Sequence, residues 1–436
     1  MINTILVFNP NIGKRLRYLI EEVLPTRFIN MQWEITDDLD EFLIHKGFKL
    51  NYSELKISET NAWVHPEGWL TDGNWRGLNF ASQNQGWVMF PQTKGDYAFD
   101  VFSAIFTILT RAEEYLVNER DEHGRFSIHS SGFPSDMKYT IPWVDVWLSH
   151  FAEFLSEKGI PVELNTQSSG KMTIDVDNVT AVYGKPLVRQ VGGAVKHFKT
   201  LGPITRIKSA SNIQQDPFYS FPMLKKLAES SSVPFHFFLL GGAKSDFDKN
   251  QAFSSKAYVK AISEIKQWAE IGLHPSYYWH KMTFEEQQAE KHALEQVLEA
   301  EVSSSRMHFL KFDVRTTYLQ LEALGIVNDY TLGFADGVGF RAGTAHPFKF
   351  YSLAVEREVG VICHPFVAMD ATLNWYLKMT PESSNKVSLE MANYVKSFGG
   401  CLSFLWHNDT ANGYGEWSSW KSVFEYQLNL AKQCLN

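Results

Sequence analysis

Short apolar runs alternate with amphipathic stretches along the second half of the chain. Seven such runs predict β-strands, at Met172–Val176, Phe235–Leu240, Gly272–His274, His308–Lys311, Tyr330–Phe334, Val359–Cys363 and Cys401–Trp406. Between them, apolar residues recur at helical spacing, as at Tyr258, Ile262 and Ile265, and predict helices. Strands that alternate with helices indicate βα units of a parallel sheet, and seven strands in about 265 residues favour a (β/α) barrel.

The first part of the chain has a mixed pattern. It predicts strands at Ile5–Phe8 and Phe28–Ile35 and helices at Gly13–Val23, Phe99–Glu114 and Trp143–Leu155. A polar stretch from Ser156 to Lys171, which contains Gly and Pro, breaks any period. We therefore predict an α/β protein in which residues 1–160 form a smaller mixed α/β domain of unknown role and residues 170–436 form a distorted barrel.

Composition narrows the classes of function. The 436 residues carry 41 Lys and Arg against 49 Asp and Glu, a net charge of −8, which argues against a nucleic-acid partner. No apolar run approaches the ~20 residues that cross a bilayer. The three cysteines form no disulfide framework, and the apolar stretch Ile2–Phe8 lacks the basic flank of a signal peptide. We expect a cytoplasmic protein without a membrane span.

Two carboxylates lie at the end of the first strand of the predicted barrel. Asp175 and Asp177 are at positions i and i+2, so an extended backbone turns both towards one face. Like charges at that distance repel unless a cation lies between them or one carboxyl group is protonated. The pair therefore indicates a cation site, or alternatively two Asp residues that cap the following turn.

Other strand ends carry imidazoles and a guanidinium group. His274 ends one predicted strand and is followed by Pro275, and His407 ends the last strand. Arg306 and His308, also at i and i+2, lie at the start of another. One carboxylate with two imidazoles is the ligand set of a hydrolytic divalent-metal site, most naturally zinc. The remaining carboxylate could accept a proton and the remaining imidazole could donate one.

These motifs occur in a recognisable order. The sequence T-x-D-x-D, G-x-H-P-S, R-x-H, D-Y-T-L-G and L-W-H, between Met172 and Trp420, resembles the polysaccharide deacetylase family of NodB-type carbohydrate esterases. The resemblance implies a distorted (β/α) barrel that removes N- or O-acetyl groups from sugars with a divalent metal ion. The segments Phe99–Leu116 and Asp121–Ser127 are similar to an amino-terminal domain found in one bacterial branch of this family.

The resemblance also implies roles for individual residues. Asp175 matches the catalytic base of the first motif, and Asp177 matches its metal ligand. His274 matches a second metal ligand. Arg306 matches the arginine of the third motif and is expected to pair with Asp175. His407 matches the histidine that protonates the leaving group.

The chain departs from the family pattern at the third metal ligand. Tyr278 stands where the second motif usually has its other histidine. In the third motif, His308 replaces the usual proline and shares a face with Arg306, so we predict that His308 restores the lost imidazole. His280, two residues beyond the expected position, is the alternative ligand.

Two further residues follow the predicted strand that ends near Phe334. Asp336 matches the aspartate of the fourth motif and is expected to orient His407 or to anchor Arg306. Arg341, in the glycine-rich stretch that follows, is available to an anionic sugar or else belongs to a plain turn.

The sequence therefore predicts a metal-dependent hydrolase with one divalent ion, most naturally Zn²⁺. Its expected substrate is an acetylated sugar or a polysaccharide intermediate, with N-acetyl as the first choice. Two alternatives stay open. One is a catalytically inactive barrel that binds carbohydrate or acts as a scaffold, which Tyr278 favours. The other is a metal-dependent hydrolase of a non-sugar amide.

Overall fold

Two main β-sheets organise the chain in the computed structural model, which describes residues 3–58, 60–70, 77–83, 86–185, 201–242, 245–248 and 250–435. In the amino-terminal part the strands are β1 (Asn3–Phe8), β2 (Met31–Thr36), β3 (Phe48–Asn51), β4 (Ala62–Trp63), β5 (Phe80–Gln83) and β6 (Gly86–Met89). Its helices are α1 (Lys14–Tyr18), α2 (Leu24–Arg27), α3 (Leu39–Ile44), α4 (Val101–Leu109), α5 (Ala112–Leu116) and α6 (Trp143–Glu157). The first four strands form a parallel sheet of order β2-β1-β3-β4, and β5 pairs with β6 as a hairpin.

The second sheet has nine strands. They are β7 (Ser168–Val176), β8 (Phe235–Leu239), β9 (Glu270–Leu273), β10 (Ser304–Ser305), β11 (Asn328–Asp329), β12 (Phe348–Ser352), β13 (Arg357–Cys363), β14 (Ala368–Met369) and β15 (Gly400–His407). The helices of this part are α7 (Pro203–Ser211), α8 (Phe221–Ser231), α9 (Lys256–Ile265), α10 (Phe284–Leu298), α11 (Thr317–Ala323), α12 (Pro381–Phe398) and α13 (Lys421–Gln433).

The nine strands are hydrogen-bonded in the order β12-β13-β11-β10-β9-β8-β7-β15-β14. Every neighbouring pair is parallel except β12 and β13. Parallel strands joined through helices confirm the predicted βα organisation. Among the described residues no ladder joins β12 to β14, so closure of the sheet into a barrel stays a prediction.

Two of the predicted strands are wrong. The run from His308 is a 3₁₀ turn, because Phe309 and Leu310 have φ angles of 59° and 53°, which an extended strand does not allow. The run Tyr330–Phe334 is not a strand, because β11 ends before it, at Asp329. There the Asp329 carboxylate accepts hydrogen bonds from the backbone N–H and the hydroxyl of Thr331, which favours a turn.

The central strand β7 lies between β8 and β15 and is buried over most of its length. One continuous apolar cluster runs from Ile5 in the amino-terminal sheet to Cys434 after the last helix. The two parts of the chain therefore share a core, whereas the predicted domain boundaries stay a prediction. Within the described residues, every helix is too short or too polar to cross a lipid bilayer.

Charged side chains also join the two parts. Arg341 is buried, and its guanidinium lies 2.8 Å from Glu114 and 2.7 Å from the carbonyl oxygen of Gly333. Arg111, from the amino-terminal part, pairs with the same glutamate and donates to the carbonyl of Arg341. Arg341 is therefore committed to this interface, and the suggestion that it is available to an anionic sugar is wrong.

Candidate metal centre

Polar side chains from five strand ends meet at the carboxyl edge of the second sheet. Asp175 is the penultimate residue of β7, His274 follows β9, Arg306 follows β10, Asp370 follows β14, and His407 ends β15. Each polar residue lies in one of the last two positions of its strand or directly after it, where the strand residues are mostly buried. Because parallel strands end on one edge, these groups face a common site.

Three residues of this edge form a group that could hold a metal ion. Asp177, His274 and His308 each offer one ligand atom, and these atoms lie within 4.8 Å of one another. Nε2 of His274 is 3.4 Å from one carboxylate oxygen of Asp177, and Nε2 of His308 is 3.5 Å from the other. Both histidines are buried, whereas 36 % of the Asp177 side chain is exposed.

Hydrogen bonds at the opposite ring nitrogen set the tautomer of both histidines. Nδ1 of His274 lies 2.5 Å from the carbonyl oxygen of Arg306 and must donate to it. Nδ1 of His308 lies 2.9 Å from the buried carboxylate of Asp248. With Nδ1–H committed in this way, a neutral ring presents the lone pair of Nε2 to Asp177. This is the usual outer-shell arrangement of metal-binding histidines.

The distances from Asp177 to the two histidines fit ligands of a metal ion better than they fit direct hydrogen bonds. Separations of 3.4 and 3.5 Å are too long for good N–H···O bonds. Tetrahedral zinc ligands at about 2.0–2.2 Å from the ion lie about 3.3–3.6 Å apart. In addition, Oδ1 of Asp177 and Nε2 of His274 are buried without any hydrogen-bond partner. The residues present therefore fit a divalent ion.

The charges within this group shift the pKa values of Asp177 and His308 in opposite directions. Burial alone would raise the pKa of Asp177, but the charge of His308 and the proximity of His274 hold it well below its ordinary value. Burial alone would lower the pKa of His308, but Asp177 and Asp248 outweigh it and raise this pKa to about 9. A divalent ion held by these residues would require Nε2 of His308 to be deprotonated.

Asp175 has a different partner from Asp177. Its Oδ1 accepts a hydrogen bond of 3.0 Å from the guanidinium of Arg306, which is completely buried. Arg306 also donates to the carbonyl of Tyr330 and lies 4.6 Å from the ring centre of Phe238. Oδ2 of Asp175 is 3.7 Å from Nε2 of His274, so this carboxylate adjoins the metal group without belonging to it.

His407 pairs with a carboxylate that the sequence reasoning missed. It lies opposite Asp175 in the ladder between β7 and β15, and its Nδ1 is 2.9 Å from Oδ1 of Asp370. Burial opposes protonation of His407, but the charge of Asp370 outweighs it and holds the pKa well above its ordinary value. Asp177 and Asp175 add to this effect. The site thus contains a protonated imidazole beside a carboxylate.

The other predicted site residues lie elsewhere. His280 and Tyr278 are exposed on and before a 3₁₀ turn, and neither belongs to the group of three. Asp336 accepts hydrogen bonds from the hydroxyl of Ser127 and from the N–H of Ile128, whereas the carboxylate at His407 is Asp370.

Sequence reasoning missed two carboxylates of the site. Asp370 follows the apolar run Phe366–Met369 and could have been found by the strand-end rule. Asp248 lies in a polar loop without any such signal.

Comparison with known proteins finds one matching family model and solved structures of low sequence identity. A family described as a family of unknown function (DUF7033) matches residues 5–160. A search among curated proteins finds no match.

Three solved structures are each similar to part of this chain. One is described as a polysaccharide deacetylase from Mycobacterium smegmatis, at 15 % identity and a TM-score of 0.39, over 59 % of this chain and 83 % of that one. Another is described as Puue allantoinase, at 11 % identity and a TM-score of 0.36, over 60 % of this chain and 84 % of that one. The third is described as a polysaccharide deacetylase from Pseudomonas aeruginosa PAO1, at 12 % identity and a TM-score of 0.35, over 60 % of this chain and 85 % of that one. All three TM-scores lie below 0.4.

Proposed function

We propose that the protein is a metal-dependent hydrolase that removes an acetyl group, preferably N-acetyl, from a sugar or an oligosaccharide. The observation that carries the proposal is the grouping of Asp177, His274 and His308 beside two further pairs of charged residues. A purely structural cluster would have no need of histidines whose Nε2 atoms converge on one carboxylate without bonding to it.

The three grouped residues are the proposed ligands of the ion, and zinc suits one carboxylate and two imidazoles. When bound, such an ion supplies Lewis-acid polarisation of the acyl oxygen and makes water a stronger nucleophile near neutral pH. The hydrogen bonds from His274 to the Arg306 carbonyl and from His308 to Asp248 keep both rings in the orientation that coordination needs.

Asp175 and His407 are the proposed base and acid. Asp175 takes a proton from the attacking water as the water oxygen bonds to the acyl carbon, and the hydrogen bond from Arg306 orients the carboxylate. His407 gives its Nε2 proton to the nitrogen of the amide as the carbon–nitrogen bond breaks, while its Nδ1 keeps the other proton and donates it in the hydrogen bond to Asp370. The products are acetate and a free amine, and the two side chains exchange protons with solvent to return to their starting states.

The choice of a sugar is supported by exposed aromatic side chains near this edge. Phe247, Tyr278, Trp375 and Tyr376 are each between 37 and 50 % exposed. Phe247 packs against Phe309, the neighbour of His308, and Tyr376 joins the same turn through Arg125. Aromatic faces of this kind suit the C–H faces of sugar rings and exceed what a small non-sugar amide requires.

Acetate release tests the proposal. Metal-depleted and Zn²⁺-reconstituted protein would be incubated with N-acetylated chito-oligosaccharides, an O-acetylated xylo-oligosaccharide and an N-acetylated peptide as the non-sugar amide. We expect zinc-dependent acetate release from the acetylated sugars, abolished in Asp177→Asn. Release from the peptide alone would replace the sugar with a non-sugar amide. Zinc binding without release from any substrate class would favour an inactive binding barrel.

A further inference from the structure

A loop from the amino-terminal part of the chain reaches the metal centre. The segment Asp121–Ser127 lies against the turn that follows the metal-group residue His308. It is folded on itself, because the carboxylate of Asp121 accepts hydrogen bonds from the N–H groups of His123 and Arg125 at 2.9 and 2.8 Å. The segment therefore has a defined local structure of its own.

The turn that it contacts has an unfavourable backbone conformation. Phe309 and Leu310 both have φ angles in the left-handed region, at 59° and 53°. Residues with a Cβ atom avoid this region, and two of them in succession persist only where surrounding contacts hold them. Since His308 directly precedes them, the position of its ring depends on whatever stabilises this turn.

Arg125 makes the contacts that hold the turn. One terminal nitrogen of its guanidinium donates to the carbonyl oxygen of Phe309 at 3.1 Å, and the other donates to the hydroxyl of Tyr376 at 3.1 Å. Its Nε donates to Asp121 at 2.7 Å, so each of the three guanidinium nitrogens donates a hydrogen bond. Arg125 is only 5 % exposed, which makes these bonds costly to lose.

A second route runs from the same segment to His308 through its carboxylate partner. Nδ1 of His123 lies 3.0 Å from the hydroxyl of Tyr277, and the His123 ring packs 4.9 Å from that of Phe309. The N–H of Tyr277 donates to Oδ1 of Asp248 at 3.0 Å, and this same oxygen holds Nδ1 of His308. The segment is thus linked to His308 in two indirect ways, through Phe309 and through Tyr277 and Asp248.

The far end of the segment is anchored as well. Asp336 accepts hydrogen bonds from the hydroxyl of Ser127 and from the N–H of Ile128. This carboxylate therefore ties the end of the segment to the loop between β11 and β12.

We propose that the segment Asp121–Ser127 is a positioning element of the metal centre, in which Arg125 fixes the turn that presents His308. The inference rests on the proposed function, since it needs the group of three to bind a metal ion. It gives the amino-terminal part of the chain a defined role, because without this segment the third ligand would lack its support. Arg125 is a positioning residue and touches neither ion nor substrate.

Cobalt binding tests this assignment in the full chain. Co²⁺ would be titrated into metal-depleted wild type, Arg125→Ala, Arg125→Lys and Glu122→Ala, with the visible spectrum recorded at saturation and folding checked by thermal unfolding. Glu122 is the matched control, since it lies in the same segment with 87 % of its side chain exposed. We expect Arg125→Ala to bind Co²⁺ about 10- to 100-fold more weakly and with an altered spectrum, as for other outer-shell changes.

The remaining variants make the outcome decisive. Arg125→Lys keeps the positive charge but has one donor nitrogen instead of three, so it is expected to bind Co²⁺ with an intermediate affinity. Glu122→Ala should bind Co²⁺ as wild type does. If Arg125→Ala fails to fold, Arg125→Lys carries the comparison. Wild-type affinity and spectrum in both Arg125 variants would overturn the inference while leaving the proposed function standing. A wild type that binds no Co²⁺ would overturn the proposed function and this inference with it.

Discussion

Nδ1 of His407 lies 2.9 Å from Oδ1 of Asp370, a carboxylate with no exposure to solvent. The same carboxylate accepts hydrogen bonds from the backbone N–H of His407 and from the hydroxyl of Thr410. The imidazole is therefore fixed in orientation and held in its charged form, as an acid that donates from Nε2 requires. Asp370 is a positioning residue in this arrangement, because it acts through His407.

Asp370→Asn removes the negative charge from this pair and keeps its size. We expect kcat for acetate release to fall about 10²- to 10⁴-fold, the usual contribution of a positioned general acid. The affinity for zinc should stay at the wild-type value, because Asp370 lies outside the group of three. Steady-state kinetics measure kcat, and a titration with Zn²⁺ measures the affinity for the metal. An unchanged kcat, or a loss of zinc together with activity, would contradict the assignment.

Arg306→Met tests the buried ion pair with Asp175. The substitution leaves a buried carboxylate without its partner, which commonly costs about 3–5 kcal/mol in the free energy of unfolding. Arg357→Met is the matched control, because Arg357 and its partner Glu322 are 48 and 30 % exposed, and exposed pairs contribute less than about 1 kcal/mol. Urea unfolding of both variants gives the comparison. Equal losses would show that Asp175 does not depend on Arg306.

His364 makes the stability of the fold depend on pH. Burial, and then the charges of Lys171 and His236, lower its pKa from 6.5 to about 4. As the pH falls below 6.5, the unfolded chain therefore takes up a proton before the folded chain does. The free energy of unfolding should decrease between pH 6.5 and 4, by up to about 3 kcal/mol from this residue.

Urea unfolding at pH 7.5, 5.5 and 4.5 measures this dependence. His364→Phe is expected to flatten it, because the phenyl ring can still stack on Tyr330 and binds no proton. His292→Phe is the control, since 63 % of the His292 side chain is exposed. Equal pH dependence in wild type and His364→Phe would show that His364 is not the group that titrates.

The hydrophobic pattern of the sequence was sufficient to predict the site residues that lie at the ends of regular strands or directly after them. Asp175 lies at the end of β7, Asp177 directly follows it and His274 directly follows β9, and the apolar residues of these strands are visible in the sequence. The rule that parallel strands end on one edge then brings them together. Spacing placed His308 within reach of the same site, although on a predicted strand that is in fact a turn.

What the sequence could not supply are contacts between distant segments. Asp248 reaches His308 from 60 residues away, and nothing in its polar loop distinguishes it from other surface aspartates. Arg341 looks available in a glycine-rich loop, but Glu114, 227 residues away, buries it. The docking of Arg125 on Phe309 is equally nonlocal, with a separation of 184 residues. Such partners depend on how the two sheets pack, which periodicity does not encode.

Zinc content tests the central claim most directly. Wild type, His308→Ala and His280→Ala would be reconstituted with Zn²⁺, freed of excess metal and assayed by elemental analysis. We predict close to one equivalent of zinc in wild type and in His280→Ala, whose imidazole is exposed and outside the group of three. His308→Ala should retain little zinc. Wild type without zinc, or zinc retained in His308→Ala and lost in His280→Ala, would contradict the proposed metal centre.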